Sequence, residues 1–457
     1  MNREPFLTMN IKILSKWLIM SLLLASNLSF SQQNYTLREA VDYAVKNHVN
    51  IKNAQIDILN AEARVREIKG IGLPQVNGNF NYTNNLIIQR IFIPAKTFDP
   101  TAPEGAVIAA EFGVANSGNA GINVSQILFD GSYLLGLKAA SVYEELPKKV
   151  LIQTKQQAAE NVTKAYYGIL VNEERMKILD LNIGRLDSLL RDTRALNGQG
   201  FVEKIDVQRL EVQLNNLKIE VKNVERLQEL SYYALKFQMG KKINEPLILA
   251  DKLADINVSE LAPDTDQELK YANRIEYSIL QTQDRLAELD LKNQKVGYLP
   301  RVTFNGGYSY SAGRPKFFDL VTKPWFNAAN IGFAVSVPIF DGFQRKYKIT
   351  QSQNNWQKVK NSYELLQNSI DLQVKQGQIS LKNAYETLVE QKANMELAKE
   401  IVRVTKIKYK QGVGSNLEVV NAESASKEAQ TNYFTTLYNA LIAKVDLDKA
   451  LGRLYNE

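Results

Sequence analysis

The chain has 457 residues, with 56 Lys and Arg against 49 Asp and Glu, a formal net charge of +7, one histidine and no cysteine. That length could hold two or three ordinary domains, and the missing cysteine excludes a disulfide scaffold, thiol catalysis and a lipidated N-terminal cysteine. The charges alternate in sign along helical runs, as in Asp284, Arg285, Glu288, Asp290 and Lys292, so the basic balance reads as solvated helix surface and no nucleic-acid partner is expected.

In chain order, Lys12 and Lys16 precede the apolar run from Trp17 to Ala25, and small residues follow near Ser29–Ser31. Whether translation starts at Met1 or Met9, this has the form of a secretory signal peptide over residues 1–31. Thr36 with Glu39 three places on is a capping box. It opens a predicted helix that Gly70-Ile71-Gly72-Leu73-Pro74 stops. Gln75–Thr83 alternates Val76, Phe80 and Tyr82 with Asn77, Asn79, Asn81 and Thr83, the period of a strand. Residues 84–119 read as irregular, and Gly121–Phe129 as a second strand. From Gly131 to Asn197 the pattern is helical, with Val162, Tyr166, Ile169, Met176, Leu179 and Ile183 spaced as a coiled-coil seam. Pro147 is expected to kink its start. Asn197–Gly200 turns the chain into a helix that ends at Gly240. Lys241–Asp264 is a mixed connection, and Thr265–Gly297 is helical again. Arg301–Ser311 and Ile331–Val337 alternate as strands around a loop at 312–329. After Phe340-Asp341-Gly342, a helix without proline is predicted to reach Gln411, then a turn over Gln411–Ser415 and a last helix to Gly452.

This is one architecture written twice. Leu73-Pro74 matches Leu299-Pro300, Phe129-Asp130-Gly131 matches Phe340-Asp341-Gly342, Gln199-Gly200-Phe201 matches Gln411-Gly412-Val413, and Met239-Gly240 matches Leu451-Gly452. The sequence therefore divides into a first repeat over residues 32–262 and a second over 263–457. Each run of about 70 helical residues, about 105 Å long, is matched by two shorter runs laid end to end. The strands have the length that crosses an outer membrane at a tilt. Four strands leave open edges, which lipid does not tolerate, so closure needs other copies: two chains give eight strands and three give twelve.

The duplicated Leu-Pro before a strand, the duplicated Phe-Asp-Gly after one and the Gln-Gly turns followed by Ile205-Asp206-Val207 or Leu417-Glu418-Val419 resemble the TolC-like outer-membrane efflux channels over nearly the whole mature chain. The resemblance implies mixed α with transmembrane β: a long α-helical coiled-coil barrel joined to a trimeric 12-stranded outer-membrane β-barrel. It also implies an outer-membrane location spanning into the periplasm. The implied function is that of a porin-like channel, the passive exit duct of a tripartite efflux pump for small molecules. The implied partners are two further copies, a periplasmic adaptor protein, an inner-membrane pump and outer-membrane lipid. Two alternatives stand beside this: an outer-membrane channel for protein or peptide secretion, and an exported coiled-coil structural or adhesion protein.

By position, the resemblance assigns a periplasmic gate to Tyr409, Asp206, Glu418 and Asn421. Asn421 departs from an acidic pattern and leaves a single acidic ring at Glu418, while Gly414 supplies no basic side chain to the gate. The tip turns and adaptor docking fall on Gly200, Phe201, Gly412, Val413 and Gly414. The strand–helix joints fall on Pro74, Phe129, Asp130, Gly131, Pro300, Phe340, Asp341 and Gly342. No enzyme, cofactor or metal is expected. His48 is the only histidine and has no evident partner, and Gly306-Gly307 lies within a strand with no helix after it, so it is no phosphate loop.

Overall fold

The computed structural model describes residues 34–262 and 270–455. The signal peptide expected over residues 1–31 lies outside the described residues. In chain order the elements begin with β1 (Asn34–Tyr35), α1 (Leu37–Asn47), α2 (Val49–Gly70), β2 (Gln75–Asn84), β3 (Arg90–Pro94), β4 (Val107–Glu111) and β5 (Asn116–Phe129). Then come α3 (Gly131–Tyr143), α4 (Glu145–Gly198), α5 (Lys204–Met239), β6 (Ile248–Leu249) and α6 (Ile275–Val296). The last are β7 (Arg301–Arg314), α7 (Phe318–Thr322), β8 (Phe326–Ser336), α8 (Gln344–Lys410) and α9 (Asn416–Ala450). Two compact units form, each from separated stretches: Met1–Lys52, Thr154–Leu269 and Asp371–Glu457 in one, Asn53–Gln153 and Lys270–Ile370 in the other.

The second unit holds a four-stranded antiparallel sheet in the order β2-β5-β7-β8. Its register places Asn77 opposite Asn123 and Asn123 opposite Gly307, while Phe304 faces Phe333. One face is therefore amide, hydroxyl and glycine, and the other is apolar. Cross-strand amide bonds tie the polar face together: Asn123 donates to Asn79 at 2.8 Å and Asn79 to Asn119 at 3.2 Å.

Pro74 and Pro300 each stand immediately before a strand, where a missing N–H costs no ladder bond. Phe129 ends β5, and Asp130 caps α3, its carboxylate accepting from the N–H groups of Ser132 and Tyr133. Gly131 is the first residue of α3. In the second joint Asp341 accepts from the N–H of Arg345 at 3.1 Å and pairs with its guanidinium. Gly342 and Phe343 both take positive φ, and the Phe340 and Phe343 rings meet edge to face. The aspartate is shared, but the second joint turns through a left-handed pair that the first lacks.

The first unit is helical. Tyr166, fully buried on α4, places its hydroxyl 2.9 Å from both the Tyr35 carbonyl and the Asp251 carboxylate, which share its one proton, and Asp251 also accepts from the N–H of Leu37. Burial, then the bond to Asp251, pushes the Tyr166 hydroxyl pKa upward. Around this node Val162, Ile169 and Leu170 of α4 meet Ala40 and Ala44 of α1 and Leu235 and Met239 of α5. The single N-terminal helix expected from Thr36 to Gly70 is instead two helices, broken at His48, which is extended. Gly240, at φ +70, brings its Cα so close to His48 that an added Cβ would lie 2.8 Å from the His48 Cα. The expected kink at Pro147 becomes a break at Glu144, with proline inside the first turn of α4, where it costs no helical bond. Residues 84–119, expected to be irregular, contain the β3–β4 hairpin and the start of β5.

The sheet also corrects the expected architecture. Among the described residues no sheet closes: β2 and β8 are open edges, and the chain builds no 12-stranded barrel. Separately, no described helix is long and apolar enough to cross a membrane. Among the described residues of the first unit the helices gather around discrete clusters such as the one at Tyr166, and none of these clusters is a closed coiled-coil tunnel. The expected transmembrane β-barrel, coiled-coil barrel, porin-like channel and outer-membrane-spanning location are corrected accordingly. The family resemblance implied them, and the sheet of one chain leaves its edges open.

Glu160, only 6% exposed on α4, joins Lys164 at 2.7 Å and Lys449 of α9 at 2.6 Å, and Lys164 also meets Asp446. Burial alone would raise its pKa, but the two ammonium partners outweigh burial and hold it below the ordinary carboxylate value. A lowered folded pKa contributes stability above the unfolded value of 4.5, and that contribution is lost as pH falls through the folded value. Glu160→Gln should therefore lower the denaturant midpoint most at neutral pH, with the gap narrowing below about pH 4.5. A gap that stays constant down to about pH 3 would contradict this.

Candidate functional site

The two glycine turns lie in the same unit, at the ends of α4 and α8. Each closes in the same way. Gly200 donates to the Asn197 carbonyl at 3.0 Å and Phe201 to Leu196 at 3.0 Å; Gly412 donates to Tyr409 at 3.1 Å and Val413 to Lys408 at 3.0 Å. Gly200 and Gly412 sit at φ +79 and +74, the left-handed position that ends a helix without a Cβ penalty. Backbone bonds thus satisfy the last carbonyls, and the next residues are left outside: Phe201 is 74% and Val413 77% exposed. Gly414 lies close against Lys408.

Beneath the turns, Leu186, Leu189 and Leu190 of α4 pack with Val207, Leu210 and Leu214 of α5 and Val419 of α9, with Tyr409 half-buried against them. The Tyr409 hydroxyl lies 3.3 Å from Thr193 Oγ1. The Asp206 carboxylate pairs with Arg209 at 3.6 Å, so Tyr409 is tied to Thr193 and not to Asp206. Asp206 is joined to the other turn through its backbone: Asn416 donates its amide to the Asp206 carbonyl at 2.7 Å. Glu418 and Asn421 are exposed on the first turns of α9, and the Glu418 N–H is capped by Ser415 Oγ at 3.2 Å. Lys410 meets Asp192 at 3.5 Å, and a buried ion pair joins Lys406 to Glu423.

Sequence reading missed Thr193, Asn416 and the Lys406–Glu423 pair. Asn416, only 3% exposed, follows the capping Ser415 and reads locally as a polar residue of a helix's first turn. Only the contact across to α5 reveals its role. His48 caps α1, its Nδ1 accepting from the Asn50 N–H at 3.2 Å, and burial pushes its pKa down. Among the described residues no group of three or more His, Asp or Glu is placed to hold a metal.

The model of the outer membrane efflux protein family matches residues 278–453. Outer membrane protein TolC of Vibrio cholerae is 21% identical over 339 residues, covering 74% of this chain and 77% of that protein. Outer membrane efflux protein BepC of Brucella suis is 21% identical over 424 residues, 92% of this chain and 86% of its own. Among solved structures, CusC superposes with a TM-score of 0.72 at 13% identity, covering 92% of this chain and 95% of that one. VceC of Vibrio cholerae gives 0.68 at 15%, covering 91% and 96%. The chain is similar to outer membrane efflux proteins over most of its length, and it matches that family's model over its C-terminal part. The likeness to the solved structures is one of fold. The likeness to these relatives supports a chain that is not an enzyme and an association with tripartite efflux systems in general.

Asn416→Ala should loosen the end of the first unit without unfolding the chain. It removes one bond to a backbone carbonyl, worth about 1 kcal/mol. Amide hydrogen exchange over residues 196–206 should speed several-fold while residues around Tyr166 keep their protection. Unchanged exchange at the turn would show that Asn416 does not join the two hairpins.

Proposed function

We propose that this chain is a contact-making helical component of a tripartite efflux system, and that its paired glycine turns dock a periplasmic adaptor protein. The adaptor in turn connects it to an inner-membrane pump. The reading of a passive exit duct is set aside, because among the described residues the sheet of one chain is open. The observation that carries the docking reading is the pair of exposed apolar side chains, Phe201 and Val413, on turns whose own backbone bonds are already complete. Neither side chain is needed to close its turn. Asp206, Glu418 and Asn421 give the same end its acidic and amide character, and Tyr409 holds the turns together through Thr193.

Three copies assemble in this proposal. Ile205, Val212 and Ile219 on α5 recur every seven residues and are 44%, 59% and 58% exposed; Leu372 and Ile379 on α8 do the same at 58% and 61%. Apolar stripes of helical pitch left in water are surfaces that neighbouring helices cover. Sedimentation should give a mass of three chains. Immobilised adaptor from the same efflux system should bind this species, and Phe201→Asp with Val413→Asp should weaken binding at least about tenfold, about 1.4 kcal/mol, with no change in melting temperature. Undiminished binding by the double variant would place docking elsewhere, and the exported helical structural protein would then become the better reading.

A further inference from the structure

Within the helical unit, α1, α4, α9 and the connection after β6 leave a cavity of about 680 Å³ between them. The volume is that of a small-molecule site, and it shares no residue with the glycine turns. Its walls are apolar: Leu37 and Val41 of α1, Leu441 and Val445 of α9, and Ile256 and Leu261 of the connection supply them. On each helix the pair is four residues apart, which puts both members on one face.

Two hydroxyls enter this apolar space from α4, also one turn apart. Thr163 is 7% exposed and Tyr167 is half-buried, and both line the cavity. Neither hydroxyl has a hydrogen-bond partner among the described residues. Burial, and then the charge of Asp448, pushes the Tyr167 pKa up, so this phenol keeps its proton and can donate. Buried polar groups left without partners are costly. A ligand that fits here therefore carries a polar group within its apolar body.

The charges make a second demand. Lys444 and Asp448 of α9 pair with each other at 3.0 Å. Arg38 and Asp42, exposed on α1, line the same cavity and make no ion pair among the described residues. Four residues apart on one helix, they lie about 6 Å from each other. One cation and one anion are left open side by side.

We infer that this cavity binds a short apolar peptide with both ends free, of dipeptide size. Two residues of extended chain span about 7 Å, so the carboxylate reaches Arg38 while the ammonium reaches Asp42. The apolar side chains enter the leucine, isoleucine and valine walls, and the peptide N–H and C=O meet the hydroxyls of Tyr167 and Thr163. A single-chain lipid with a zwitterionic head would match the two charges, but its acyl chain would leave both hydroxyls unmet. A single apolar amino acid would match the walls, but its two charges lie too close together to meet Arg38 and Asp42 at once. The inference is independent of the docking and assembly proposed above.

Leucyl-phenylalanine titrated into the full chain in a calorimeter should bind saturably, one per chain. The same dipeptide acetylated and amidated should bind at least about tenfold more weakly. Arg38→Gln should abolish the advantage of the free carboxylate and keep that of the free amine, and Asp42→Asn should do the reverse. Both positions are exposed, so neither change should move the melting temperature. Thr163→Val keeps the shape, removes the hydroxyl and should weaken the free and blocked dipeptides alike. Absence of saturable binding, or equal binding of the free and blocked forms, overturns the inference. Preferences that survive both charge variants place the peptide elsewhere on the chain and overturn the site. Tighter binding of dodecylphosphocholine below its micelle concentration would assign the cavity to lipid and overturn the peptide reading.

Discussion

An aspartate at the end of a strand governs how this chain passes from sheet to helix. A strand ends with free N–H groups ahead of it as soon as a helix begins, and something must accept from them. Asp130 accepts from two, and Asp341 from one four residues on. Asp130 also lies 3.4 Å from Arg301 at the start of β7, so the cap of α3 and the entry of the neighbouring strand share one carboxylate. The direction in which each long helical run leaves the sheet is therefore set by a side chain of four heavy atoms beyond the backbone.

In the helical unit the equivalent constraint is hydrogen bonding to backbone carbonyls. Tyr166 reaches the Tyr35 carbonyl, and Asn416 reaches that of Asp206. Both bonds join stretches far apart in the chain; the first is buried and the second part-buried, where an unmet polar group is costly. Between them lie leucine and valine clusters that fix distance but little direction. The apolar contacts hold the helices together, and these few polar bonds set their register.

Much of the local structure was legible because its causes are local. The capping box at Thr36 and Glu39, the alternation in Gln75–Thr83 and the turn glycines at 200 and 412 all depend on neighbours within a few residues. What was not legible came from contact at a distance. Helix α1 breaks at His48 because Gly240 arrives there. Tyr409 meets Thr193, which lies on another helix. The β3–β4 hairpin was hidden because Ile91-Phe92-Ile93 is apolar throughout and carries no alternation. The expected barrel and tunnel came from the family resemblance, whereas the chain itself leaves the edges of its sheet open.

The turns at Gly200 and Gly412 separate two tasks that most surface loops combine. Their shape is written in backbone bonds and one left-handed glycine each, and the most outward side chains contribute nothing to it. Positions 201 and 413 can therefore drift in size and polarity under selection while folding stays neutral to the change. A lineage could exchange one binding partner for another through these two positions, with the scaffold beneath them inherited intact.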